Sequence, residues 1–546
     1  MLRTQLFADP TGRFVHDVVL QSCQRNGYKT ALIDTSCDNT SCNRRLTFAE
    51  YGGLVESLAR GLVSAGLAPG EVVAIFLPNS WEFAITYHAA TLAGAIPTLL
   101  NPSYREREIR YQLENSGASL LITDAPLLEN VNLAGLLRLR RVFVTRNQRA
   151  GYEDFAKLLR PGSAKFPEAI QSSQQTIAAL LYSSGTTGLP KGVMLSHYNL
   201  VANVYQVIGP NAAPLTHDEI MLCFLPLYHI YGLTVALTLS LALGSTLVLM
   251  PRFDVQKLCA LLVQEGVTMM PVVPPAINAM CQAAEAGIFP KDHTLRWIKS
   301  GAAPLAPELA RRMTDLTGVL VNQGYGMTEA SPVTHVGYNA PPEMNRPASI
   351  GQPLALTECR IIDVMKSEVT KNDLIKGDDE VNEVAPGEPG ELVMRGPQIM
   401  MGYWKEPQAT AAVLRDGWYF SGDIVRTDAD GFYYVLDRSK EMIKYKGFPV
   451  APAEVEALLL EHPAVRDCGV VAKPDLAAGE IPCAFVVLRG GFTASEALDH
   501  EIRNFVADRL AHHKQPREVH FVEVIPRTPS GKILRRELRK EFAQTS

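Results

Sequence analysis

A polar segment at residues 182–192, YSSGTTGLPKG, combines the residue types that hold phosphate groups. Its glycines let backbone N–H groups approach an anion, its hydroxyl side chains donate hydrogen bonds, and Lys191 adds a compact positive charge. The P-loop pattern GxxxxGK[ST] does not fit this segment, and the alternative is an ordinary Gly/Ser turn in a β-hairpin. Because eleven consecutive residues of this composition are more specific than a lone glycine pattern, we expect a phosphate-binding loop. The predicted phosphate ligands are Ser183, Ser184, Gly185, Thr186, Thr187 and Lys191.

A second polar segment, QGYGMTE at 323–329, offers groups that suit a nucleotide. Its glycines admit flat groups close to the backbone, and Tyr325 offers an aromatic face to adenine. Thr328 offers a donor to a phosphate oxygen, and Glu329 offers a carboxylate to Mg²⁺. The alternative is a Thr-Glu pair that only begins a helix. Further along, Asp423 is a carboxylate that can accept two hydrogen bonds, as a vicinal diol requires, or that merely ends a strand. Lys532 lies in a Ser-Gly-Lys loop of a kind that any protein surface could carry.

Two further segments complete a set of four that occurs in a fixed order. YFSGDIVRTDADGFYYVLDR at 419–438 and PRTPSGKILRREL at 526–538 follow YSSGTTGLPKG and QGYGMTEA. With these segments the chain resembles the adenylate-forming superfamily of acyl- and aryl-CoA ligases, firefly luciferase and nonribosomal adenylation domains, and it is most similar to 4-coumarate:CoA ligase-like acyl-CoA synthetases. The resemblance covers nearly the whole chain. It implies a carboxylate–CoA ligase that uses ATP, Mg²⁺ and CoA: the acid becomes an acyl-AMP with release of pyrophosphate, and CoA then takes the acyl group.

The resemblance also implies roles for individual residues. In the first reaction Lys532 bridges the carboxylate and the α-phosphate, and Glu329 is the metal ligand. Before the second reaction the C-terminal domain rotates, withdraws Lys532 and presents Lys444 to the thiol. The implied catalytic residues are Lys532, His229, Lys444, Thr328 and Glu329. Besides the phosphate ligands above, the implied ATP/AMP residues are Ala302, Gln323, Gly324, Tyr325, Thr328, Asp423, Arg438, Lys440, Lys444 and Lys532, and the implied CoA residues are Arg252, Lys446 and Gly447.

The acyl pocket is implied by LYHIYG at 227–232, which matches the FHIY of plant 4-coumarate:CoA ligases. The match implies that His229 orients the acyl group; for a lone histidine the alternative is a satisfied core residue. Val235 stands where the plant enzymes carry a serine. Small residues at 301–303 leave room for an aromatic ring or an alkyl chain. The acid could therefore be of the cinnamate or benzoate type or a medium-chain fatty acid. The implied pocket residues are His229, Tyr231, Val235, Ala302, Ala303, Gly324, Gly326, Pro332 and Val333.

Two departures from the family pattern stand out. Pro449 replaces a glutamine associated with catalysis, and proline has neither a side-chain amide nor a backbone N–H, so we assign no role there. Residues 366–382 form a long charged run, for which we expect a solvated surface loop. One alternative function is an acyl-AMP-forming enzyme that delivers to a separate carrier protein or to oxygen. Another is a nucleotide-binding module without catalysis, against which the presence of Lys191, Glu329, Lys444 and Lys532 argues.

The elements that must position these residues follow from the hydrophobic pattern. Helical spacing within 46–66, 83–93 and 106–115 alternates with apolar strands at 72–77, 96–100 and 120–123. This alternation predicts an α/β fold with parallel sheets covered on both faces, which bind ligands beyond the carboxyl ends of their strands. We expect a large N-terminal domain at 1–436 and a small mobile α+β domain at 437–546, with a hinge at 437–440.

Composition bounds the remaining possibilities. The 546 residues are 47% hydrophobic and 20% charged, as in an ordinary globular protein, and the net charge of −5 recommends neither nucleic acid nor an anionic membrane as partner. Nine cysteines without a CxxC pair, and an N-terminus without an apolar signal region, predict reduced thiols in the cytoplasm. Residues 220–251 lack charged side chains, but the helical part at 233–243 would rise only about 16 Å, so we expect a buried helix and a strand at 246–250.

Overall fold

The fold is described by a computed structural model of the chain. The described residues are 10–36, 43–129, 131–146, 150–160, 172–183, 190–209, 215–337, 346–363, 375–376, 380–381, 383–438, 441, 443–445, 448–475, 478–510, 512–528 and 531–544.

The first sheet has eight strands and carries the predicted phosphate segment. Its central strands are parallel, whereas Ile177–Ser183 and Lys191–Ser196 pair as an antiparallel hairpin in which Ser183 lies opposite Lys191. The strands on either side of the segment therefore do form a hairpin, and residues 184–189 between them lie outside the described part. In order across the sheet the strands are Gly402–Tyr403, Lys191–Ser196, Ile177–Ser183, Ile96–Leu99, Val72–Phe76, Ala118–Thr123, Arg141–Val144 and Glu153–Asp154.

Both faces of this sheet are covered. Along the strand Val72–Phe76, Val73 and Ile75 belong to one buried cluster, and Val72, Ala74 and Phe76 belong to another. The helix Glu106–Ser116 contributes Ile109 and Leu113 to the second cluster, and the large first cluster continues into the second sheet. The predicted α/β class with helix-covered parallel strands is confirmed.

The second sheet has nine strands and carries the QGYGMTE segment. Its middle strands are parallel, and its two edges turn antiparallel. In order the strands are Gln352–Pro353, Val333–Val336, Leu320–Gly326, Trp297–Ser300, Met269–Val272, Ile220–Cys223, Thr246–Leu249, Thr30–Asp34 and Arg44–Thr47.

Helices of this large part begin at recognisable caps. The hydroxyl of Thr47 accepts a 3.2 Å hydrogen bond from the Glu50 N–H, and the Glu50 carboxylate accepts one of 2.8 Å from the Thr47 N–H, which fixes the start of Phe48–Ser64. The helices are Val15–Arg25, Phe48–Ser64, Trp81–Leu92, Glu106–Ser116, His197–Ile208, Leu239–Leu243, Val255–Gln264, Pro274–Glu285, Pro307–Thr317 and Pro407–Val413.

The uncharged stretch folds inside the core. It forms the π-helix Tyr231–Thr238, the α-helix Leu239–Leu243 and the buried strand Thr246–Leu249. The sequence predicts a buried helix followed by a strand here, but the helical segment begins two residues earlier than expected and its first part is π-helical. Gly244 ends the helix with φ of +81°. Throughout the described residues, the helices are too short or too polar to span a lipid bilayer.

A third sheet packs beside the second and carries Asp423. Its strands are Glu358–Ile362, Gly390–Arg395, Trp418–Thr427 and Leu414–Arg415, and Tyr433–Arg438 also pairs with Trp418–Thr427. Within the charged segment 366–382, Ile375–Lys376 and Glu380–Val381 form a small antiparallel pair, and the other residues lie outside the described part.

The C-terminal part builds a sheet of its own. Its strands are Phe448–Val450, Ile443–Tyr445, Gly479–Leu488, Val465–Asp475 and Glu518–Phe521, and its helices are Pro452–Leu460, Glu496–Ala507 and Arg535–Gln544. The α+β character predicted for this part is confirmed. The helix Glu496–Ala507 begins after Ser495, whose hydroxyl accepts a 3.2 Å hydrogen bond from the Leu498 N–H and caps the first turn.

Candidate active site

The carboxylate of Glu329 joins the first two sheets. Its Oε1 accepts a 2.9 Å hydrogen bond from the Tyr403 hydroxyl and a 3.3 Å hydrogen bond from the Ser183 hydroxyl. Glu329 itself follows the strand Leu320–Gly326 of the second sheet, and it is only 9% exposed. Among the described residues it has no ion pair with a lysine or arginine. A buried carboxylate held in this way fits a metal cation such as Mg²⁺, which prefers oxygen ligands.

Lys191 also contacts Tyr403. Its ammonium nitrogen is 5.4 Å from the centroid of the Tyr403 ring, within the range of a cation–π contact. Burial, together with the negative charge of Glu329, raises the pKa of Tyr403, so its hydroxyl stays protonated and donates. Lys191 and Glu329 therefore contact the same tyrosine, one at its ring and the other at its hydroxyl.

Tyr325 and Asp423 meet across the second and third sheets. The Tyr325 hydroxyl donates a hydrogen bond to Oδ2 of Asp423, which is buried on the strand Trp418–Thr427 opposite Arg438. Gly326 is required beside them, because a Cβ added there would lie 1.9 Å from the carbonyl oxygen of Pro332. The two residues predicted to meet adenine and ribose are thus brought together.

His229 and Tyr231 lie at the start of the π-helix. The Tyr231 N–H donates a 3.2 Å hydrogen bond to Nδ1 of His229, so the neutral imidazole carries its proton on Nε2. Burial, and secondly the positive charge of Lys532, lowers the pKa of His229 to about 4. The Tyr231 hydroxyl donates a 2.8 Å hydrogen bond to the carbonyl of Lys299. The His229 ring is therefore neutral with its proton on Nε2, and its role in orienting the acid stays a prediction.

The small residues after the strand Trp297–Ser300 lie against Tyr231. A Cβ added to Gly301 would come within 3.0 Å of the Tyr231 ring, and Ala302 adopts a left-handed conformation with φ of +66°. Val235, 9% exposed, lies one π-helical turn beyond Tyr231. Of the other predicted pocket residues, Ala303 follows Trp297–Ser300, Gly324 lies within Leu320–Gly326, and Val333 begins Val333–Val336 directly after Pro332.

Lys532 approaches this side from the C-terminal part. It lies on a tight hairpin in which the Thr528 N–H donates a 2.8 Å hydrogen bond to the Lys532 carbonyl and the Lys532 N–H donates one of 3.1 Å to the Thr528 hydroxyl. Arg527 binds both the Gly531 carbonyl, at 2.9 Å, and the Asp467 carboxylate, at 2.6 Å. An added Cβ on Gly531 would lie 3.4 Å from Pro275 and 4.0 Å from Ala303. The hairpin therefore touches the acyl side of the site.

Several predicted residues have simpler surroundings. Thr328 begins the 3-10 turn Thr328–Ala330, so the pair does begin a helical turn, but the Glu329 side chain turns towards Ser183 and Tyr403. The Gln323 side chain accepts from the Leu305 N–H and donates to the Pro347 carbonyl. Arg252 is exposed after the strand Thr246–Leu249. Ser184, Gly185, Thr186, Thr187, Lys440, Lys446 and Gly447, and the side chains of Arg438, Lys444 and Pro449, lie outside the described part.

Three residues with clear positions had no role in the sequence analysis. Tyr403 holds Glu329, and His335 packs against Tyr325 with ring centroids 5.7 Å apart. Lys299 donates a 2.8 Å hydrogen bond to the Gly337 carbonyl, and burial lowers its pKa to about 7. For Tyr403 the sequence does contain a local signal, because two aromatic residues follow a glycine in the segment Gly402-Tyr403-Trp404. The sequence contains no comparable signal for His335 or Lys299.

In the C-terminal sheet, Cys483, Glu518 and His520 lie close enough together to suggest a metal site. The arrangement is already neutralised, because the Lys473 ammonium donates to both Glu518 oxygens at 2.7 and 2.8 Å. Burial also raises the pKa of the Cys483 thiol to about 12. These contacts describe an ion-pair network on the sheet surface.

The family of AMP-binding enzymes matches residues 19–404, and the C-terminal domain of AMP-binding enzymes matches residues 454–532. The chain belongs to this family of AMP-binding enzymes. It is an AMP-forming acyl-CoA synthetase, for which ATP, CoA and a carboxylic acid are the substrates.

The chain can be aligned with relatives of known name along nearly its full length. The chain is 37% identical to 4-coumarate–CoA ligase 5 of Oryza sativa subsp. japonica over 97% of its own length and 94% of the relative's. It is also 37% identical to 4-coumarate–CoA ligase of Pinus taeda, over 94% and 92%. Among solved structures, an anthranilate CoA ligase bound to anthranoyl-AMP has a TM-score of 0.84 at 28% identity, covering 98% of both chains. A benzoate CoA ligase from Burkholderia xenovorans LB400 has a TM-score of 0.82 at 26% identity, covering 96% of this chain and all of the other.

Proposed function

We propose that the carboxylic acid is an arylcarboxylate of the cinnamate or benzoate type. The observation that carries this proposal is the close approach of Gly301 to the Tyr231 ring, which packs an aromatic side chain next to His229 against the small residues of the predicted acyl pocket. The relatives named above are ligases of 4-coumarate, anthranilate and benzoate, which supports the same class. A medium-chain fatty acid is the second candidate, because Val235 makes the pocket wall apolar.

In the first reaction, a carboxylate oxygen of the acid attacks the α-phosphate of ATP and displaces pyrophosphate, and the site must overcome the repulsion between two anions. Lys532 on its hairpin lies between the two reactants, and Lys191 with Ser183 holds the outer phosphates. Glu329 would hold Mg²⁺, which supplies positive charge to the phosphates when bound. No proton needs to move in this step. The site therefore requires positive charge and correct placement of the two reactants, and not an acid–base pair.

His229 orients the acid. Since its pKa is lowered to about 4, the ring is neutral at physiological pH and its Nε2–H donates to a carboxylate oxygen without adding a charge that would weaken the nucleophile. Tyr325 and Asp423 receive the adenine and ribose, with Gly324, Ala302 and the phosphate ligands completing the nucleotide site.

The second reaction requires the C-terminal part to turn. We place the boundary between residues 436 and 437 and the hinge at 437–440, so that the domain 437–546 withdraws Lys532 and presents Lys444 and Gly447 to the thiol. Arg252 and Lys446 then meet the phosphates of CoA. The cytoplasm, where thiols stay reduced, is the compartment we assign, because the seven described cysteines are all unpaired.

A substrate panel tests the acid. Pyrophosphate release is measured with ATP and Mg²⁺ against cinnamates, benzoates and C6–C12 fatty acids, each with and without CoA, and the thioester is identified by mass. We expect release and a thioester with an arylcarboxylate. Preference for the fatty acids would overturn the assigned acid class, and acyl-AMP without thioester would favour a carrier protein or oxygen as acceptor.

A further inference from the structure

His335 lies directly behind the ring of Tyr325. The two residues are register partners in the antiparallel pair of Leu320–Gly326 and Val333–Val336. Their ring centroids are 5.7 Å apart in an edge-to-face arrangement, and His335 is completely buried. The contact therefore joins an inaccessible side chain to one that borders the nucleotide site.

The other neighbours of His335 hold it in a fixed orientation. Its Nδ1 is 2.9 Å from the Thr334 hydroxyl and its Nε2 is 3.6 Å from the Cys359 sulfur. Its ring centroid is 4.6 Å from that of Tyr433, on the strand that pairs with the Asp423 strand. Burial lowers the pKa of His335 to about 3, so the ring is neutral and contributes shape and hydrogen bonds, not charge.

Tyr325 is held at both ends. The His335 edge supports one part of the ring, and the hydroxyl donates its hydrogen bond to Asp423 at the other. Tyr433, which supports His335, is itself fixed, because its carbonyl accepts hydrogen bonds of 3.0 Å from the Ile350 N–H and 2.8 Å from the Ser349 hydroxyl. These contacts form a continuous chain from the third sheet to the face of Tyr325.

We propose that His335 is a positioning residue for ATP: its buried ring sets the plane of Tyr325 and the direction of the hydrogen bond to Asp423. The surface that receives adenine and ribose is then formed before the nucleotide binds. This inference rests on the nucleotide role proposed above for Tyr325 and Asp423. It predicts a larger effect on ATP than on the acid, because the ring of His335 contacts Thr334, Tyr325, Cys359 and Tyr433, and none of these four is assigned to the acid or to CoA.

Two substitutions of His335 distinguish the contribution of its aromatic ring from that of its nitrogen atoms. H335F keeps an aromatic edge against Tyr325 and Tyr433, whereas H335S removes it. His88 is the matched control, since it is also completely buried, packs between Tyr51 and Tyr87 at 6.0 and 5.1 Å, and lies on the helix Trp81–Leu92 with no residue of the site among these contacts. H88S therefore removes a comparable buried ring.

The experiment measures the KM for ATP, the KM for the acid, kcat, and the dissociation constant of AMP by calorimetry, on folded protein. An aromatic contact of this kind accounts for up to about tenfold in an equilibrium, so H335S should raise the KM for ATP and the AMP dissociation constant by roughly fivefold to tenfold. The KM for the acid and kcat at saturating ATP should change less than about twofold. H335F should resemble the wild type, and H88S should lower the melting temperature only.

Equal increases in both KM values, or the same ATP effect in H88S, would overturn the inference, as would unchanged AMP binding in H335S. If H335S fails to fold, H335L takes its place, because leucine fills the space without a ring. AMP binding requires no turnover. A wild-type protein that binds AMP but releases no pyrophosphate with any acid would therefore contradict the proposed function and still test His335.

Discussion

Tyr403 and Ser183 donate to the same oxygen atom, Oε1 of Glu329, at 2.9 and 3.3 Å. Two strands of the first sheet thus hold a carboxylate that belongs to the second sheet. The second carboxylate oxygen has no hydrogen bond among the described residues, so it is available to a cation. This arrangement makes Tyr403 part of the proposed magnesium site.

The first prediction concerns the substitution Y403F. A hydrogen bond to a charged group contributes about 1.5–3 kcal/mol, so its loss should raise the Mg²⁺ concentration for half-maximal pyrophosphate release by roughly tenfold. Y434F is the control, because the Tyr434 hydroxyl donates a similar 2.9 Å hydrogen bond to Asp428 in a surface turn. An unchanged Mg²⁺ dependence in Y403F would show that Glu329 does not need this hydroxyl.

The second prediction concerns Arg527, which ties the Lys532 hairpin to Asp467. R527Q should slow acyl-AMP formation by about tenfold, because a charge-assisted bond that fixes the hairpin is lost. R466Q is the control, since Arg466 is exposed and, among the described residues, donates a single hydrogen bond of 3.3 Å to the Glu523 carbonyl. Single-turnover measurement of acyl-AMP checks the rate, and equal rates in both variants would contradict the role of Arg527.

The third prediction concerns the acid pocket. In G301A the new Cβ would lie 3.0 Å from the Tyr231 ring, so the ring must shift. The KM for an arylcarboxylate should rise by roughly tenfold, while the KM for ATP stays the same. G53A is the control, because an added Cβ on Gly53 meets no atom within 4 Å. A KM for the acid that stays at the wild-type value in G301A would remove Gly301 from the pocket wall.

The fourth prediction concerns acid stability. Burial lowers the pKa of His88 and His335 to about 3 and that of His16 to about 4. Below the ordinary histidine pKa of about 6.5 the unfolded chain binds protons that the folded chain does not, so each histidine removes up to about 1.4 kcal/mol of stability per pH unit as the pH falls from about 6.5 towards 4.

Urea unfolding at pH 7.5, 5.5 and 4.5 measures this loss. H335F removes one titrating group, so its free energy of unfolding should fall less steeply with acid than that of the wild type. Parallel curves for the two proteins would show that His335 takes up its proton equally in both states.

Sequence reasoning found the residues that lie in recognisable segments and missed those that depend on tertiary contacts. Ser183, Tyr325 and Glu329 lie within polar or glycine-rich runs whose composition itself indicates nucleotide chemistry, whereas Asp423 was assigned through the family resemblance. Tyr403 acquires its role only because its strand pairs beside the hairpin that carries Ser183, which no local pattern reveals.

His335 and the π-helix show the same limit. His335 faces Tyr325 through an antiparallel register with a shift between Tyr325 and Gly326, and a shift of one residue exchanges the faces of a strand. The apolar run at 233–243 has helical composition but no sign of the wider π-helical turn, since every side chain there is apolar or small and periodicity carries no information. The alternation of strands and helices, in contrast, was sufficient for the fold class.

The central claim is that Lys532 serves acyl-AMP formation and leaves the site before the thiol enters. It is tested most directly by K532A, assayed in two separate halves: pyrophosphate release from ATP and acid, and thioester formation from prepared acyl-AMP with CoA. We predict that the first rate falls by about 10²–10³-fold and that the second stays within about threefold of the wild type. Equal losses in both halves, or none in the first, would contradict the account.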